Sequence, residues 1–147
     1  MKLDNLFKQA RVVAENSHDS QTKVGALLIH GKTGAVLSSG FNGFIRGTCD
    51  DELPATRPDK YQYIIHAEMN MLLNSCRHGI ATEGCYVVCT LSPCKTCLRS
   101  LFQAGITTIY FETKYRDFEQ QIIMKDLLIN LTQVGKYYKL ELEANNG

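Results

Sequence analysis

Residues 85–111 read CYVVCTLSPCKTCLRSLFQAGITTIYF and predict a strand, a helix and a second strand. The first seven residues are a short, largely apolar run, which is typical of a buried strand. Ser92-Pro93 is typical of a helix start, with Ser as the cap and Pro at the first helical position. Gly105 is typical of the helix end, and 106–111 predicts the next strand. Because a helical crossover places two strands side by side and parallel, this stretch predicts an α/β fold.

The sequence before this unit predicts two helices and a β-hairpin. Residues 3–16 carry apolar side chains at helical spacing, which indicates an amphipathic helix. Two apolar runs, 24–29 and 35–37, flank a turn at His30–Gly34 and predict the hairpin. After a long irregular connection at 38–65, residues 66–77 predict the second helix, ended by Gly79.

The remaining elements complete one mixed sheet. Residues 118–131 predict a last helix and 137–142 a last short strand. Helical connections between the later strands favour parallel neighbours, whereas the first hairpin is antiparallel. We therefore expect a three-layer α/β/α fold with a central mixed five-stranded sheet, forming a single domain over residues 1–147.

Composition limits the classes of function. The chain has 147 residues, 44% of them hydrophobic, and its 16 basic and 15 acidic residues leave a net charge of +1. Such a balance provides no broad basic surface, so we expect no nucleic-acid partner. Charged residues such as Lys2, Asp4 and Lys8 interrupt the first segment, and no apolar run approaches the ~18 residues of a membrane span. We expect a cytoplasmic protein without a membrane partner, in which disulfides are disfavoured.

Two short motifs carry the chemistry. His66-Ala67-Glu68 opens the second helix, and Pro93-Cys94-Lys95-Thr96-Cys97 opens the third. Cys94 and Cys97 lie one helical turn apart, so both thiolates can face one point. One imidazole and two thiolates leave the fourth position of a tetrahedral zinc open, as in catalytic sites. Glu68 is only two positions from His66, so it is better placed beside a water at the zinc than on the metal.

The cysteines also allow simpler interpretations. A Cys-x-x-Cys pair alone is equally typical of a thioredoxin-like redox motif, and an isolated histidine is more often a packed or surface residue. Cys85 and Cys89 share one side of a strand, which predicts packing in the core. Cys76 is also predicted to pack. Cys49 is left open between a loop thiol and a metal ligand.

The two-part motif resembles the signature of the zinc-dependent cytidine and deoxycytidylate deaminases. Other stretches are similar to the deoxycytidylate (dCMP) deaminase branch in particular. They are Thr22-Lys23-Val24-Gly25-Ala26, Gly40-Phe41-Asn42-Gly43, Arg46-Gly47, Lys60-Tyr61-Gln62-Tyr63, Glu68-Met69-Asn70 and Ala104-Gly105-Ile106. The likeness runs from about residue 17 to about residue 117. Phe41 and Ile45 depart from the tyrosine and proline that members of the branch often carry there.

The resemblance implies the cytidine-deaminase-like fold and a hydrolytic reaction. One catalytic Zn²⁺ per chain is held by His66, Cys94 and Cys97, and Glu68 moves the protons. The implied reaction converts dCMP to dUMP with release of ammonia and feeds dTMP synthesis. Asn42 is implied to contact the sugar.

The resemblance also implies further substrate residues. Ala67, Ser92 and Pro93 frame the base. For the 5′-phosphate, we consider four candidates, since a phosphate needs compact cationic or hydroxyl donors: Lys23, Lys114, Tyr115 and Arg116. Lys23 is equally interpreted as a solvated lysine at a strand end.

Regulation and assembly are implied in the same way. Many relatives are hexamers that dCTP activates and dTTP inhibits, and the corresponding nucleotide site maps to Gly40, Asn42, Gly43 and Arg46, with Mg²⁺ accompanying the triphosphate. The glycines of this loop are equally typical of plain turns. Some bacteriophage members hold a second, structural zinc. Here Cys49 and His18 are present, but no histidine lies between Cys49 and His66, so a single zinc is predicted. The location implied is the cytoplasm, or the host cytoplasm for a bacteriophage protein.

Three other functions compete. A deaminase acting within RNA or DNA needs a basic face, which the balanced charge does not provide. A free-nucleoside cytidine deaminase would lack the long loop ending in residues 60–63. A non-enzymatic zinc module would have no use for Glu68 beside its ligands.

Overall fold

The computed structural model describes residues 2–115, 118 and 129–143. The three α-helices of this part are α1 (Leu3–Ala14), α2 (Ala67–Arg77) and α3 (Lys95–Gln103). Its strands are β1 (Gly25–Ile29), β2 (Val36–Phe41), β3 (Tyr86–Leu91), β4 (Thr108–Thr113), β5 (Ile129–Val134) and β6 (Tyr137–Leu142). Two short 3₁₀ helices, Asp50–Glu52 and Asp59–Gln62, lie in the long connection between β2 and α2. None of the helices in the described part is long and apolar enough to cross a membrane.

The six strands form one sheet in the order β2-β1-β3-β4-β6-β5. The hairpin predicted at the start of the chain is present, with β1 antiparallel to both β2 and β3. The strands β3 and β4 are parallel, as the crossover through α3 predicts, and Val88 pairs with Tyr110. Both strands end beside the N-terminus of α3, which places the second motif at this edge of the sheet.

Helices cover both faces of the sheet, which confirms the three-layer architecture. Because side chains alternate along a strand, each strand contributes to two apolar clusters. Leu27, Val88 and Tyr110 face α1, where they pack with Phe7 and Ala10. The opposite face packs against α2 and α3. It holds Ala26, Leu28, Val87, Cys89, Ile109 and Phe111 from the strands, with Met71, Leu98 and Leu101 from the helices.

A glycine sets the distance between α2 and the sheet. A Cβ atom on Gly40 would lie 2.3 Å from the backbone nitrogen of Met71 and 2.5 Å from the carbonyl oxygen of Ala67. Real Cβ atoms do not approach backbone so closely, so only glycine allows β2 to pack directly on α2. Since α2 begins at the His66-Ala67-Glu68 motif, this contact also fixes the height of the motif above the sheet.

The C-terminal part of the sheet differs from the prediction. The helix expected at 118–131 falls mostly outside the described residues, but its last three residues belong to β5. This strand pairs with β6 in an antiparallel hairpin, so the sheet has six strands and not five. The hairpin reverses the chain, and β6 therefore runs antiparallel to β4, where a parallel neighbour was expected.

The start of α3 also differs by a few residues. Ser92 and Pro93 precede the helix, and Cys94 is its N-cap, with a sulfur that accepts a hydrogen bond from the Cys97 amide. The Ser92 hydroxyl accepts instead from the Tyr115 amide at 2.7 Å. The N-cap of α3 is therefore the thiol of Cys94 and not the predicted hydroxyl of Ser92.

Candidate active site

Three metal-ligating side chains converge where α2 and α3 begin. His66 is the N-cap of α2 and Cys94 the N-cap of α3, while Cys97 lies one turn into α3. The Nδ1 atom of His66 is 3.4 Å from the Cys94 sulfur and 3.5 Å from the Cys97 sulfur. The three ligand atoms lie within 4.8 Å of one another, the only such group of three in the part of the chain that the structure describes.

This donor set matches zinc. For ordinary zinc–sulfur and zinc–nitrogen bonds at a tetrahedral angle, the sulfur–nitrogen separation is roughly 3.6 Å. The two observed separations, 3.4 and 3.5 Å, are close to this value. A His-Cys-Cys set with no fourth protein ligand leaves one position for water or substrate, as catalytic zinc sites require.

The two cysteines are electrostatically unequal. A hydrogen bond from the Cys97 thiol and the neighbouring His66 lower the pKa of the Cys94 thiol to about 4. The same hydrogen bond, together with burial, raises the pKa of Cys97. The hydrogen bond to Cys94 also raises the pKa of His66. Cys94 is thus the thiol that ionises more readily, and a thiolate at a helix N-terminus is a suitable zinc donor.

Glu68 lies beside these ligands in the first turn of α2. Its side chain is almost fully buried, with 4% of its surface exposed, and burial raises its pKa. The thiol of Cys89 donates a hydrogen bond to Glu68 Oε1 at 2.9 Å and partly offsets this rise. A carboxyl group with a raised pKa can both accept and return a proton near neutral pH.

The cysteines outside the metal group have different environments. Cys85 and Cys89 are buried in the core, which confirms the packing prediction. The sequence did not indicate that Cys89 also contacts Glu68. Cys76 was expected to pack but is exposed, because the buried side of α2 is formed by other residues: Ala67, Glu68, Met71 and Ser75. Cys49 is exposed as well, and the nearby His18 pairs with Asp50 at 3.2 Å.

A cavity of about 230 Å³ opens in front of the motif. His66, Glu68 and Cys94 lie along its wall. The other lining residues are Asp19, Thr22, Val24, Asn42, Arg57, Lys60, Tyr61, Ile64, Ala67, Leu91, Ser92 and Tyr115. The cavity therefore joins the metal group to the loop at 17–24 and to the long connection before α2.

Asn42 lies in this cavity wall and holds the backbone just before the start of β1. Its Oδ1 accepts from the Val24 amide at 2.8 Å, and its Nδ2 donates to the Thr22 carbonyl at 2.8 Å. The side chain is buried, with 6% exposed. Its orientation is thus fixed by backbone contacts, and its carbonyl oxygen keeps a second lone pair for a ligand hydroxyl.

The structure places some of the expected substrate residues in the cavity wall and others outside it. Ala67, Ser92 and Tyr115 line the cavity, whereas Pro93 is buried next to it. Lys23 is exposed and lines a separate groove with Arg11 and Glu112, so it lies outside the cavity. Lys114 lies over the Tyr138 ring at 4.8 Å, and Arg116 lies outside the described residues.

Sequence reasoning missed the charged residues of the wall: Asp19, Arg57 and Lys60. The stretch 60–63 contributed to the resemblance, but no role followed from it. Lys60 is 3% exposed, and its ammonium group pairs with the buried carboxylate of Asp19 at 2.7 Å. No spacing rule connects residues 19 and 60, and a Lys flanked by polar residues is normally solvated.

The residues expected for an effector nucleotide do not share one pocket. Gly43 and Arg46 line a second cavity of about 660 Å³, formed with part of α2. Asn42 lines the first cavity, and Gly40 packs against the backbone of α2. The structure therefore gives Gly40 a packing role.

Comparison with known proteins places the chain in a family. Residues 1–113 match the cytidine and deoxycytidylate deaminase zinc-binding region. This protein belongs to that family.

The deaminase is 32% identical to human deoxycytidylate deaminase over 82% of this chain and 70% of the human protein. It is 33% identical to the mouse enzyme over 90% of this chain and 80% of the mouse protein. A crystal structure of the cyanophage S-TIM5 dCMP deaminase in complex with dCMP and dUMP superposes with a TM-score of 0.66. It shares 29% identity over 79% of this chain and 84% of the cyanophage chain. The matches and the His-Cys-Cys group together make this chain a zinc-dependent deaminase.

Proposed function

We propose that this deaminase hydrolyses dCMP to dUMP and ammonia, and that residues 1–147 act as a single deaminase domain. The observation that carries the proposal is the buried Glu68 beside the His66, Cys94 and Cys97 group, at the base of a cavity of about 230 Å³. Relatives named for deoxycytidylate, and a related structure that holds dCMP and dUMP, support this nucleotide as the substrate.

The metal group is proposed to bind the catalytic zinc. His66, Cys94 and Cys97 would hold the zinc, and their two thiolates would balance its charge. Bound zinc supplies a Lewis acid that makes a water molecule nucleophilic at neutral pH. The remaining chemistry, which is proton transfer and substrate orientation, belongs to the protein.

Glu68 moves the protons of the reaction. Its carboxylate accepts a proton from the attacking water and delivers it to ring nitrogen N3 of cytosine. The bond from C4 to the new oxygen forms. Glu68 then takes the remaining proton from this hydroxyl group and passes it to the amine as the bond from C4 to the amino nitrogen breaks, which leaves a carbonyl at C4. The net reaction consumes one water and releases one ammonia. The raised pKa of Glu68 suits both transfers, because the group is neither a strong acid nor a strong base.

The cavity wall orients the substrate. Asn42 is proposed to accept a hydrogen bond from the deoxyribose, since its Oδ1 retains a free lone pair. The backbone of Ala67 and Ser92 is proposed to frame the base near His66. Asn42, Glu68 and Ser92 are buried in this wall, and polar contacts with the substrate are stronger at such positions than in open water.

Regulation and assembly are further parts of the proposal. We infer that dCTP activates and dTTP inhibits the enzyme, with Mg²⁺ accompanying the triphosphate, and that the active form is a hexamer located in the cytoplasm. Gly43 and Arg46 support an effector site because they line the second cavity, about 660 Å³ in volume. This cavity also includes residues of α2, the helix that carries Glu68.

One assay tests the proposed substrate. Ammonia release is measured with zinc-loaded protein and dCMP, CMP, deoxycytidine or dCTP, each with and without dCTP or dTTP as effector. We expect the highest kcat/KM for dCMP. Turnover of deoxycytidine with dCMP untouched would show that the enzyme belongs to the nucleoside branch. Rates unaffected by either triphosphate would remove the regulatory part of the proposal.

A further inference from the structure

The cavity contains a cation that sequence reasoning did not select. Arg57 lies on the long connection before α2 and is half-buried in the cavity wall. Its Nε donates to the Tyr61 hydroxyl at 2.7 Å, and its Nη2 donates to the Thr22 hydroxyl at 2.8 Å. These two bonds hold the guanidinium group in place and leave about three of its five N–H donors for another acceptor.

The charge of Arg57 is not balanced by a neighbouring carboxylate. Lys60, the other lysine or arginine of the cavity wall, forms a closed pair with Asp19. Among the described residues, no carboxylate lies within 4.0 Å of the Arg57 guanidinium. Arg57 therefore gives this part of the cavity a net positive charge, which favours an anionic ligand.

The neighbouring hydroxyls can also bind an anion. Thr22 and Tyr61 each accept a hydrogen bond from Arg57, so each hydroxyl keeps its own hydrogen for a different acceptor. One guanidinium and two hydroxyl donors then face the same space. A tetrahedral anion with several acceptor oxygens satisfies such a set, whereas a neutral nucleoside does not.

The position of Arg57 agrees with the order of groups in a nucleotide. Thr22 is the link, because its carbonyl accepts from Asn42 and its hydroxyl accepts from Arg57. If Asn42 contacts the deoxyribose, Arg57 lies close to the sugar, because both side chains bond to Thr22. The 5′-phosphate is attached to the same sugar, so an anion site at Arg57 is consistent with one bound nucleotide.

We propose that Arg57, with the hydroxyls of Thr22 and Tyr61, binds the 5′-phosphate and makes the enzyme select a nucleotide over a nucleoside. The inference rests on the proposed function and names residues for it that differ from Lys23 and Lys114. Lys23 lies outside the cavity, and Lys114 contacts the Tyr138 ring.

The test compares ligands with and without the phosphate. Equilibrium binding of dUMP and of deoxyuridine is measured by titration calorimetry for the zinc-loaded wild type and for Arg57→Ala. We expect the dissociation constant for dUMP to rise by about 30- to 100-fold, as for the loss of a charged hydrogen-bonding partner. The constant for deoxyuridine should change by less than about threefold. The same split is expected in kcat/KM for dCMP against deoxycytidine.

Matched variants separate binding from folding. Arg99→Ala removes an exposed guanidinium from α3 and should leave both constants unchanged. Arg57→Lys keeps the charge with fewer donors and should give an intermediate loss. If Arg57→Ala does not fold, Tyr61→Phe decides the question, with an expected loss of about 3- to 10-fold for dUMP alone.

Two results would overturn the assignment. If Arg57→Ala weakens the binding of dUMP and of deoxyuridine equally, Arg57 only supports the structure of the cavity wall. If it weakens the binding of neither, Arg57 does not contact the ligand. Failure of the proposed function looks different. In that case the wild type does not deaminate dCMP, while the dependence of dUMP binding on Arg57 still reports on the phosphate contact.

Discussion

Lys60 and Asp19 form a buried ion pair, with the ammonium nitrogen 2.7 Å from one carboxylate oxygen and 3.0 Å from the other. Asp19 also accepts hydrogen bonds from the amides of Gln21 and Thr22. The pair fastens the connection before α2 to the loop before β1. Both segments form the cavity wall, so the pair helps to fix the shape of the cavity.

Breaking this pair from the cationic side should destabilise the protein. Lys60→Met leaves the carboxylate of Asp19 buried without its cation, and we expect the free energy of unfolding to fall by about 3–5 kcal/mol. Urea unfolding followed by circular dichroism measures the change. Lys32→Met, on the exposed turn between β1 and β2, is the matched control and should change stability by less than about 0.5 kcal/mol. Equal stability of both variants would contradict the structural role of the pair.

The same carboxylate predicts a pH dependence of stability. Burial favours the neutral acid, but hydrogen bonds from Lys60, Thr22 and Gln21 outweigh it and lower the pKa of Asp19 below its ordinary value of 3.8. The unfolded chain therefore takes up this proton first as the pH falls. The stabilisation is complete above pH 3.8 and is lost as the pH falls through the pKa of the folded state.

Asp19→Asn provides the measurement. Its free energy of unfolding should be lower than that of the wild type at pH 7, and its decrease below about pH 4 should be shallower. Parallel pH profiles for the two proteins would show that Asp19 does not contribute to acid sensitivity.

Glu68→Gln should separate metal binding from proton transfer. The amide keeps the shape of the side chain but cannot exchange protons, so we expect kcat for dCMP to fall by about 10⁴-fold. Zinc content, measured by plasma mass spectrometry, should stay the same because the proposed ligands are His66, Cys94 and Cys97. Activity close to that of the wild type would rule out the proton-transfer role.

Zinc removal gives a prediction for the metal ligands. A chelator should abolish activity and lower the melting temperature, because zinc binds the folded chain more tightly than the unfolded one. Cys97→Ala should contain no tightly bound zinc. Cys49→Ser, an exposed cysteine far from this group in sequence, is the control and should keep one zinc per chain. A wild-type content near two zinc ions would show a second site and contradict the single-zinc prediction.

The packing of β2 on α2 predicts a difference between two glycines. Gly40→Ala forces the Cβ atom against the backbone of Ala67 and Met71, and we expect a loss of stability of about 1–3 kcal/mol. A Cβ atom on Gly43 would only meet the Phe41 ring at 3.8 Å, which is ordinary contact. Gly43→Ala should therefore unfold at nearly the wild-type urea concentration. Similar midpoints for the two variants would contradict the close approach of α2.

The parts of the fold predicted from sequence are those governed by local periodicity. The strands β3 and β4, the helix between them and the first hairpin follow from apolar spacing and turn residues, and the structure contains all of them. The prediction was wrong at β5 and in the direction of β6. The pairing of a short strand depends on its partner, and Ile129–Val134 becomes a strand by pairing with Tyr137–Leu142.

The sequence by itself determined the metal chemistry of this protein, because a histidine, a glutamate and two cysteines one helical turn apart are functional groups at readable spacing. Only the tertiary structure decided which residues line the cavity beside the metal group. The contacts of Asp19 with Lys60, of Arg57 with Thr22 and of Cys89 with Glu68 join residues about 20–40 positions apart. The first two pairs form because the long connection folds against the loop before β1, and the third forms because α2 packs on the sheet. The folded chain thereby makes a lysine and a cysteine the partners of buried carboxyl groups.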